Sequence, residues 1–227
     1  MTDIDPAAQE YIPAAAASTY VKLARAYGEE YYKTVARIVT TEGPEDGTTI
    51  DRVLDVGTGP GGLALELAES TDVGHVDAFD YTVELVSAGR RAAARRGLLE
   101  RVSFFAADCY AIPTAARTYD ALTCTGVLHA LEDPAAALAE FHRVLCPGGV
   151  ALVFDPTILE VPENPDVDFT AHERQVFEAY GVRGEDEEAP VSLGEAKQLA
   201  RESPLEIRAA SLGRWDDVRL VLERLPE

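Results

Sequence analysis

Between residues 50 and 155, short apolar runs alternate with longer stretches of helical period. VLDV at 53–56 sets Val53, Leu54 and Val56 around one acid. A few residues later comes LALELAE, whose apolar positions recur every three or four residues. GHVDAF, VSFFAA, YDALTC and GVALVF continue the series as apolar, β-forming runs bounded by turn residues. The pattern predicts strands at 52–56, 74–79, 102–107, 119–124 and 149–154, with helices at 61–69, 82–96 and 134–145. Strands alternating with helices predict a parallel sheet covered on both faces.

The flanks read differently. Residues 14–40 form a helix or helix pair carrying Tyr20, Tyr27, Tyr31, Tyr32, Val35 and Ile38 at mixed spacing, and a polar linker at 42–49 follows. After 155 the alternation breaks: PTILEVPENPDV holds three prolines, 168–180 is helical in pattern, and GVRGEDEEAP is a charged loop. A helix at 192–202 opens on Ser192 with Glu195 three residues later, a capping box. β-like runs near 205–211 and 217–223 close the chain, and no internal repeat is visible.

The candidate chemistry begins where the first strand runs into Gly57, Gly59, Gly61 and Gly62. A strand entering a glycine turn before a helix is a site for an adenosine-bearing cofactor, because glycine allows positive φ and close backbone approach. Two templates fit. Gly57, Gly59 and Gly62 satisfy the dinucleotide pattern G-x-G-x-x-G, with Asp80 downstream for a ribose. Asp55 with the glycines also satisfies D-x-G-x-G-x-G. A dinucleotide brings a pyrophosphate, which favours the free N–H groups of a helix N-terminus. S-adenosylmethionine (SAM) brings no phosphate but an amino group and a sulfonium, for which a nearby acid is useful.

Four more motifs follow in order: VDAFDYT, FFAADCYAIP, YDALTCTGVLHALEDP and FHRVLCPGGVALVFD. Together with VLDVGTGPGG they resemble class I SAM-dependent methyltransferases, in particular the small-molecule enzymes of menaquinone/ubiquinone-biosynthesis type. The resemblance covers roughly 50–155. It implies a Rossmann-like α/β fold: a mostly parallel seven-stranded sheet, helices on both faces, and a C-terminal antiparallel hairpin. It implies one domain over 1–227, with 10–42 as an N-terminal helical lid and 156–191 as a variable acceptor-side insertion. SAM is the implied cofactor and S-adenosylhomocysteine (SAH) the product.

The resemblance also assigns residues. Asp55, Gly57, Thr58 and Gly59 pass along the methionine moiety. Asp80 accepts from the ribose hydroxyls, Tyr81 flanks the adenine, Asp108 accepts from its amino group and the Cys109 N–H meets a ring nitrogen. Cys124 and Thr125 lie near the amino group or sulfonium. Plainer roles stand beside these: Asp80 as a helix cap (work Thr82 also suits), Asp108 as a loop cap, Cys124 as core. His129 is the candidate base or orienter and Asp155 a second candidate for orienting the acceptor. A histidine bonded to its own loop, and an acid capping the turn before Pro156, are the alternatives. His172 lies in the variable region, where a surface helix position competes with a pocket edge. No metal site is evident, since the strand ends carry Cys124-Thr125 and Asp155-Pro156. Arg90, Arg91, Arg95 and Arg96 read as a solvated helix end rather than a phosphate site.

Composition narrows the partners. The chain carries 40 acids against 20 bases, a net charge of −20, which opposes nucleic acid and anionic membranes. No apolar stretch is long enough to span a membrane, and an acidic start without a basic leader points to the cytoplasm. Cys109, Cys124 and Cys146 lack metal or disulfide spacing and sit in apolar surroundings, which predicts buried thiols. The expected function is methyl transfer to O, N or C of a small molecule. SAM or SAH binding without transfer, methylation of tRNA or protein, and nicotinamide-dependent oxidation are the competitors. The acidity has two sources to separate: a salt-rich cytosol, whose proteins this composition resembles, or a GC-rich genome. Salt adaptation predicts a thermal midpoint that climbs as KCl rises from about 0.1 M to about 1 M, where the Debye length falls to about 3 Å. Full folding at low salt would assign the acidity to base composition instead.

Overall fold

The computed structural model describes residues 12–44, 49–156, 191–213 and 217–226. Seven strands are β1 (Arg52–Val56), β2 (His75–Asp80), β3 (Val102–Ala106), β4 (Tyr119–Thr125), β5 (Leu145–Pro156), β6 (Glu206–Leu212) and β7 (Asp217–Glu223). They form one sheet in the order β3-β2-β1-β4-β5-β7-β6. The first five are parallel, and β7 pairs antiparallel with both β5 and β6. The mostly parallel Rossmann-like sheet and its terminal hairpin are thus as expected. The order reverses between β1 and β4, which opens a crevice over the carboxyl ends of those strands.

Successive residues along each strand feed opposite cores. Val53, Val76, Ala121 and Leu152 belong to one apolar cluster, Leu54, Leu122, Val153 and Leu220 to the other. Both faces are covered, so the strands are apolar at nearly every position rather than at every second one. The first face is packed by α2 (Glu29–Thr41), α3 (Gly62–Ser70) and α4 (Val83–Arg96), the second by α5 (Pro134–Val144) and α6 (Leu193–Glu202). A further helix, α1 (Ala17–Tyr27), precedes α2. The Ser192–Glu195 capping box is present in full, with both reciprocal bonds made.

The fifth strand differs from expectation. The helix stops at Val144 and the strand starts at Leu145, with the Pro-Gly-Gly stretch inside it rather than before it. Leu145 pairs with Tyr119, and the register then slips by a bulge before Ala121 meets Val150. Gly148 takes φ +80°, and a Cβ on Gly149 would stand 2.9 Å from the Cys146 carbonyl, so the bulge needs both glycines. The buried-thiol expectation holds for Cys124 alone; Cys109 and Cys146 are half-buried. The expected helix at 168–180, His172 and most of the 156–191 insertion lie outside the described residues.

Gly89 shows how tightly the first face is packed. A Cβ there would lie 2.6 Å from the ring of Phe104, itself buried on β3. Alanine is the better helix former by about 1 kcal/mol. Overpacking a closed core costs about 1–3 kcal/mol. Gly89→Ala is therefore expected to lower the denaturant midpoint, and adding Phe104→Leu to restore part of it.

Candidate active site

The first crossover turn is held by backbone. Thr58 N–H donates to the Phe79 carbonyl at 2.9 Å, and Gly61 N–H donates to Thr58 O at 3.0 Å. Gly57 and Gly59 take φ of +62° and +55°, a region that side chains enter at a cost. Space is scarce as well: a Cβ on Gly57 would meet Val127 at 2.3 Å, and one on Gly62 would meet the Tyr32 ring at 2.2 Å. Among the described residues a Cβ on Gly59 would meet only the edge of Tyr20, at 3.3 Å. That open side of the loop is where a ligand would lie.

Asp55 is the hub under this loop. It is 1% exposed. One carboxylate oxygen accepts from Thr58 Oγ1 and the other from Thr123 Oγ1, each at 2.6 Å. The parallel register sets Thr123 directly beside Asp55, which is why β4 supplies the second donor. Burial nevertheless pushes the Asp55 carboxyl up to about 6, opposed by the two threonines and aided by Asp80.

Asp80, at the end of β2, accepts from Gly59 N–H at 2.8 Å and Thr82 N–H at 2.9 Å. Burial raises its pKa, against these backbone donors. The glycine loop and the start of α4 are thus tied to one carboxylate. Thr82 occupies the cap position of α4 but its hydroxyl makes no cap bond; it donates instead to the carbonyl of Ile12. The cap role suggested for Thr82 is thus corrected: the entering N-terminal segment competes for its hydroxyl. Tyr81 is 57% exposed, so it is not a packed ring.

The remaining expected residues divide. Asp108 is exposed beyond β3, and its carboxylate accepts from Tyr110 N–H at 2.9 Å, holding its own loop. Cys109 beside it is half-buried. The Cys124 side chain is buried core, its thiol pKa pushed well up by that burial. Thr125, last in β4, has a buried hydroxyl with no partner among the described residues. Arg90, Arg91, Arg95 and Arg96 are exposed; Arg90 bonds the Phe104 carbonyl at 2.6 Å and Arg96 pairs with Glu69 at 3.0 Å.

His129 and Asp155, expected separately, come together. His129 lies in a short 3₁₀ turn (Leu128–Ala130) after β4, and Asp155 is near the end of neighbouring β5. Asp155 is fully buried. Its Oδ1 lies 2.6 Å from His129 Nδ1, and its Oδ2 accepts from the His129 N–H at 3.2 Å. Asp155 therefore does not cap the turn before Pro156.

Residues 53–149 match the methyltransferase domain family. Over that stretch, less than half of the chain, the sequence is similar to methyltransferases. It is 39% identical over 107 residues to a demethylmenaquinone methyltransferase of Thermus thermophilus, covering 46% of this chain and 48% of that one. The chain thus spans about half the length of that curated relative. In fold it is similar to a SAM-dependent methyltransferase from Aquifex aeolicus, with TM-score 0.62, 20% identity, and 83% of this chain and 88% of that one covered. It is equally similar to the [4+2]-cyclase SpnF, with TM-score 0.63, 20% identity, and coverage of 86% and 81%.

SAM is the cofactor this family implies, and the residues fit it. Two buried carboxylates flank the open glycine, and neither pairs with Lys or Arg among the described residues. That suits a ligand carrying a sulfonium and an ammonium and opposes a pyrophosphate. The unpartnered Thr125 hydroxyl adds a polar group that a ligand can satisfy. Among the described residues no three metal-ligating side chains cluster. No described helix is long and apolar enough to cross a membrane.

Sequence reasoning missed Thr123, Val127 and the specific place of Tyr20. Only the β1–β4 register points to Thr123; the other two need the tertiary fold. The raised Asp55 carboxyl makes a pH prediction. Between about pH 4 and 6 the folded protein binds a proton that the unfolded chain releases, so this group lowers stability as pH rises through that window. Its contribution is absent below both pKa values and levels off above 6 at about 3 kcal/mol. Asp55→Asn is expected to flatten that part of the stability–pH curve in denaturant titrations.

Proposed function

We propose that the chain transfers a methyl group from SAM to a small-molecule acceptor and releases SAH. The observation that carries this is the placing of Asp55 and Asp80 around Gly59, two buried acids without basic partners among the described residues, at the reversal of strand order. Asp80 would hold the ribose hydroxyls, since a carboxylate has acceptor sites left after two backbone bonds. Asp55, Thr58 and Thr125 would face the methionine end, Tyr81 the adenine, and Asp108 with the Cys109 N–H the adenine edge. The demethylmenaquinone relative and the acidic surface both favour a small acceptor over nucleic acid.

When bound, SAM supplies an activated methyl whose leaving group is a neutral thioether. The work left to the protein is alignment and exclusion of water, and alignment alone supplies several kcal/mol. Within the expected 10–42 lid, two helices have different parts. Val35, Ala36 and Val39 of α2 are core, and Arg208 and Arg219 from the hairpin grip its C-terminal end at Glu42 and Gly43. α2 is therefore fixed structure. α1 carries Tyr20 to Gly59, and the segment before it reaches Thr82. These contacts support α1 and residues 12–16 ahead of it as the cover over the cofactor.

Fold alone does not fix the reaction, since SpnF, a protein named for cyclisation, shares it. Asp80→Asn is expected to weaken SAM binding about a hundredfold by titration calorimetry, the scale of losing two charge-assisted hydrogen bonds, with an unchanged circular dichroism spectrum. Undiminished affinity would remove Asp80 from the site. Tight SAM binding by the wild-type chain, with no methyl transfer across phenol, amine and thiol acceptors, would favour a binding protein.

A further inference from the structure

β6 closes one side of the sheet and is itself open on the other. It pairs only with β7, so alternate backbone N–H and C=O groups point outward with no strand beside them among the described residues. In the sheet order it stands four strands from β1, about 20 Å away from the glycine loop. Such an edge is usually blunted by a charge or a bulge. Here both fall on Arg208 and both are turned away. Arg208 is the extra residue of a bulge between Ile207 and Ala209, and its guanidinium is withdrawn onto the Glu42 and Gly43 carbonyls at the end of α2. The stretch that follows, Ala209, Ala210, Ser211 and Leu212, pairs regularly with β7 and is uncharged, in a chain of net charge −20.

The two ends of this edge are complementary. At one end Leu212 stands 55% exposed. At the other, a cavity of about 340 Å³ opens between α6 and β6, lined by Lys197, Arg201, Ser203, Leu205, Glu206 and Ile207. Leu205 is buried and Ile207 half-buried, and both pack on the second core cluster, so part of the lining is apolar. Lys197 and Arg201 have no acid partner among the described residues; Glu195 and Glu202 on the same helix bond Ser192 and Gln198 instead. The exposed leucine and the cavity share a face of the sheet. Leu212 pairs with Val218 and Ile207 with Leu222, and Val218 and Leu222 both belong to that second cluster.

A two-fold axis through Ala210, perpendicular to the sheet, lays a second β6 antiparallel beside the first and keeps equivalent faces on the same side. Ala210 then meets Ala210, and Ala209 meets Ser211. Because the bulge takes Arg208 out of the count, Leu212 of each copy meets Ile207 of the other, at the mouth of the cavity. We propose that the β6 edge is a self-complementary docking surface for a second copy of this chain, joining two seven-stranded sheets into one. Each copy inserts a leucine and receives one, the exchange that a two-fold axis requires. The small side chains between the two contacts let the backbones approach, and the cross-strand Leu–Ile pairs supply apolar contact. The copy that docks carries net charge −20, so the free cations at the cavity match its sign. The same net charge makes two copies repel at longer range, and salt screens that repulsion.

The test uses the full chain and needs neither cofactor nor acceptor. Sedimentation equilibrium is expected to show a monomer–dimer equilibrium whose Kd falls about tenfold as KCl rises from about 0.1 M to about 1 M. Leu212→Ser removes the inserted side chain twice per dimer and is expected to raise the Kd about a hundredfold. Its circular dichroism spectrum should be unchanged, because Leu212 is exposed in the single chain. Ala210→Cys sets two thiols facing each other across the axis. Oxidation by diamide is expected to link that variant into a covalent dimer while the wild type, with its own three cysteines, stays unlinked. A monomer at every salt and protein concentration would overturn the proposal; it is the outcome if other residues of this chain or a different protein cover the edge. A dimer that Leu212→Ser does not weaken and Ala210→Cys does not trap would overturn it too, since its interface would lie elsewhere.

Discussion

The site depends on a carboxylate that the core would rather not contain. Asp55 sits inside β1, between two strands and beneath a helix, where burial alone disfavours its charge. It is tolerated because Thr58 and Thr123 both donate to it. Those bonds tie the glycine turn to β1 on one side and to β4 on the other. The crevice where strand order reverses is therefore pinned at its deepest point by a polar cluster, not by apolar packing. Losing any one member leaves a buried polar group unmatched, a cost of about 1–3 kcal/mol.

From that point the architecture radiates. Asp80 repeats the arrangement one strand over, binding Gly59 and Thr82 by their backbone N–H groups. Asp155 repeats it two strands over, binding His129. Three acids near the carboxyl ends of β1, β2 and β5 thus each hold a loop rather than a cation. The loops they hold are the ones that would meet the donor and the acceptor. The acidic row also sets the electrostatics: burial raises both Asp55 and Asp80, Asp80 adding a little to Asp55, and a cationic ligand would favour the charged form of each.

Much of this was readable from residue order. The five parallel strands, the two β-like runs at the end of the chain and the Ser192–Glu195 box were all legible, because each rests on local period or local hydrogen bonding; the antiparallel pairing of those two runs was legible only through the methyltransferase resemblance. The strand 5 boundary was not. Pro147, Gly148 and Gly149 look like a loop locally, and only the pairing of Leu145 with Tyr119 makes them part of a bulged strand. Thr82 looks like a helix cap locally, and only the arrival of Ile12 from 70 positions away takes its hydroxyl. Asp55, Asp80, His129 and Asp155 were legible as polar residues next to apolar runs; their partners were not.

What the sequence determined by itself is the sheet, its two covers and the glycine turn, since hydrophobic period and φ preference act over a few residues. The tertiary structure decided which side chains share an oxygen. Thr123 reaches Asp55 across 68 residues and Asp155 reaches His129 across 26, through strand neighbours set by the order β2-β1-β4-β5. A hydrogen bond needs placement to within a few tenths of an ångström. Only the packed sheet, with both faces closed, supplies that precision.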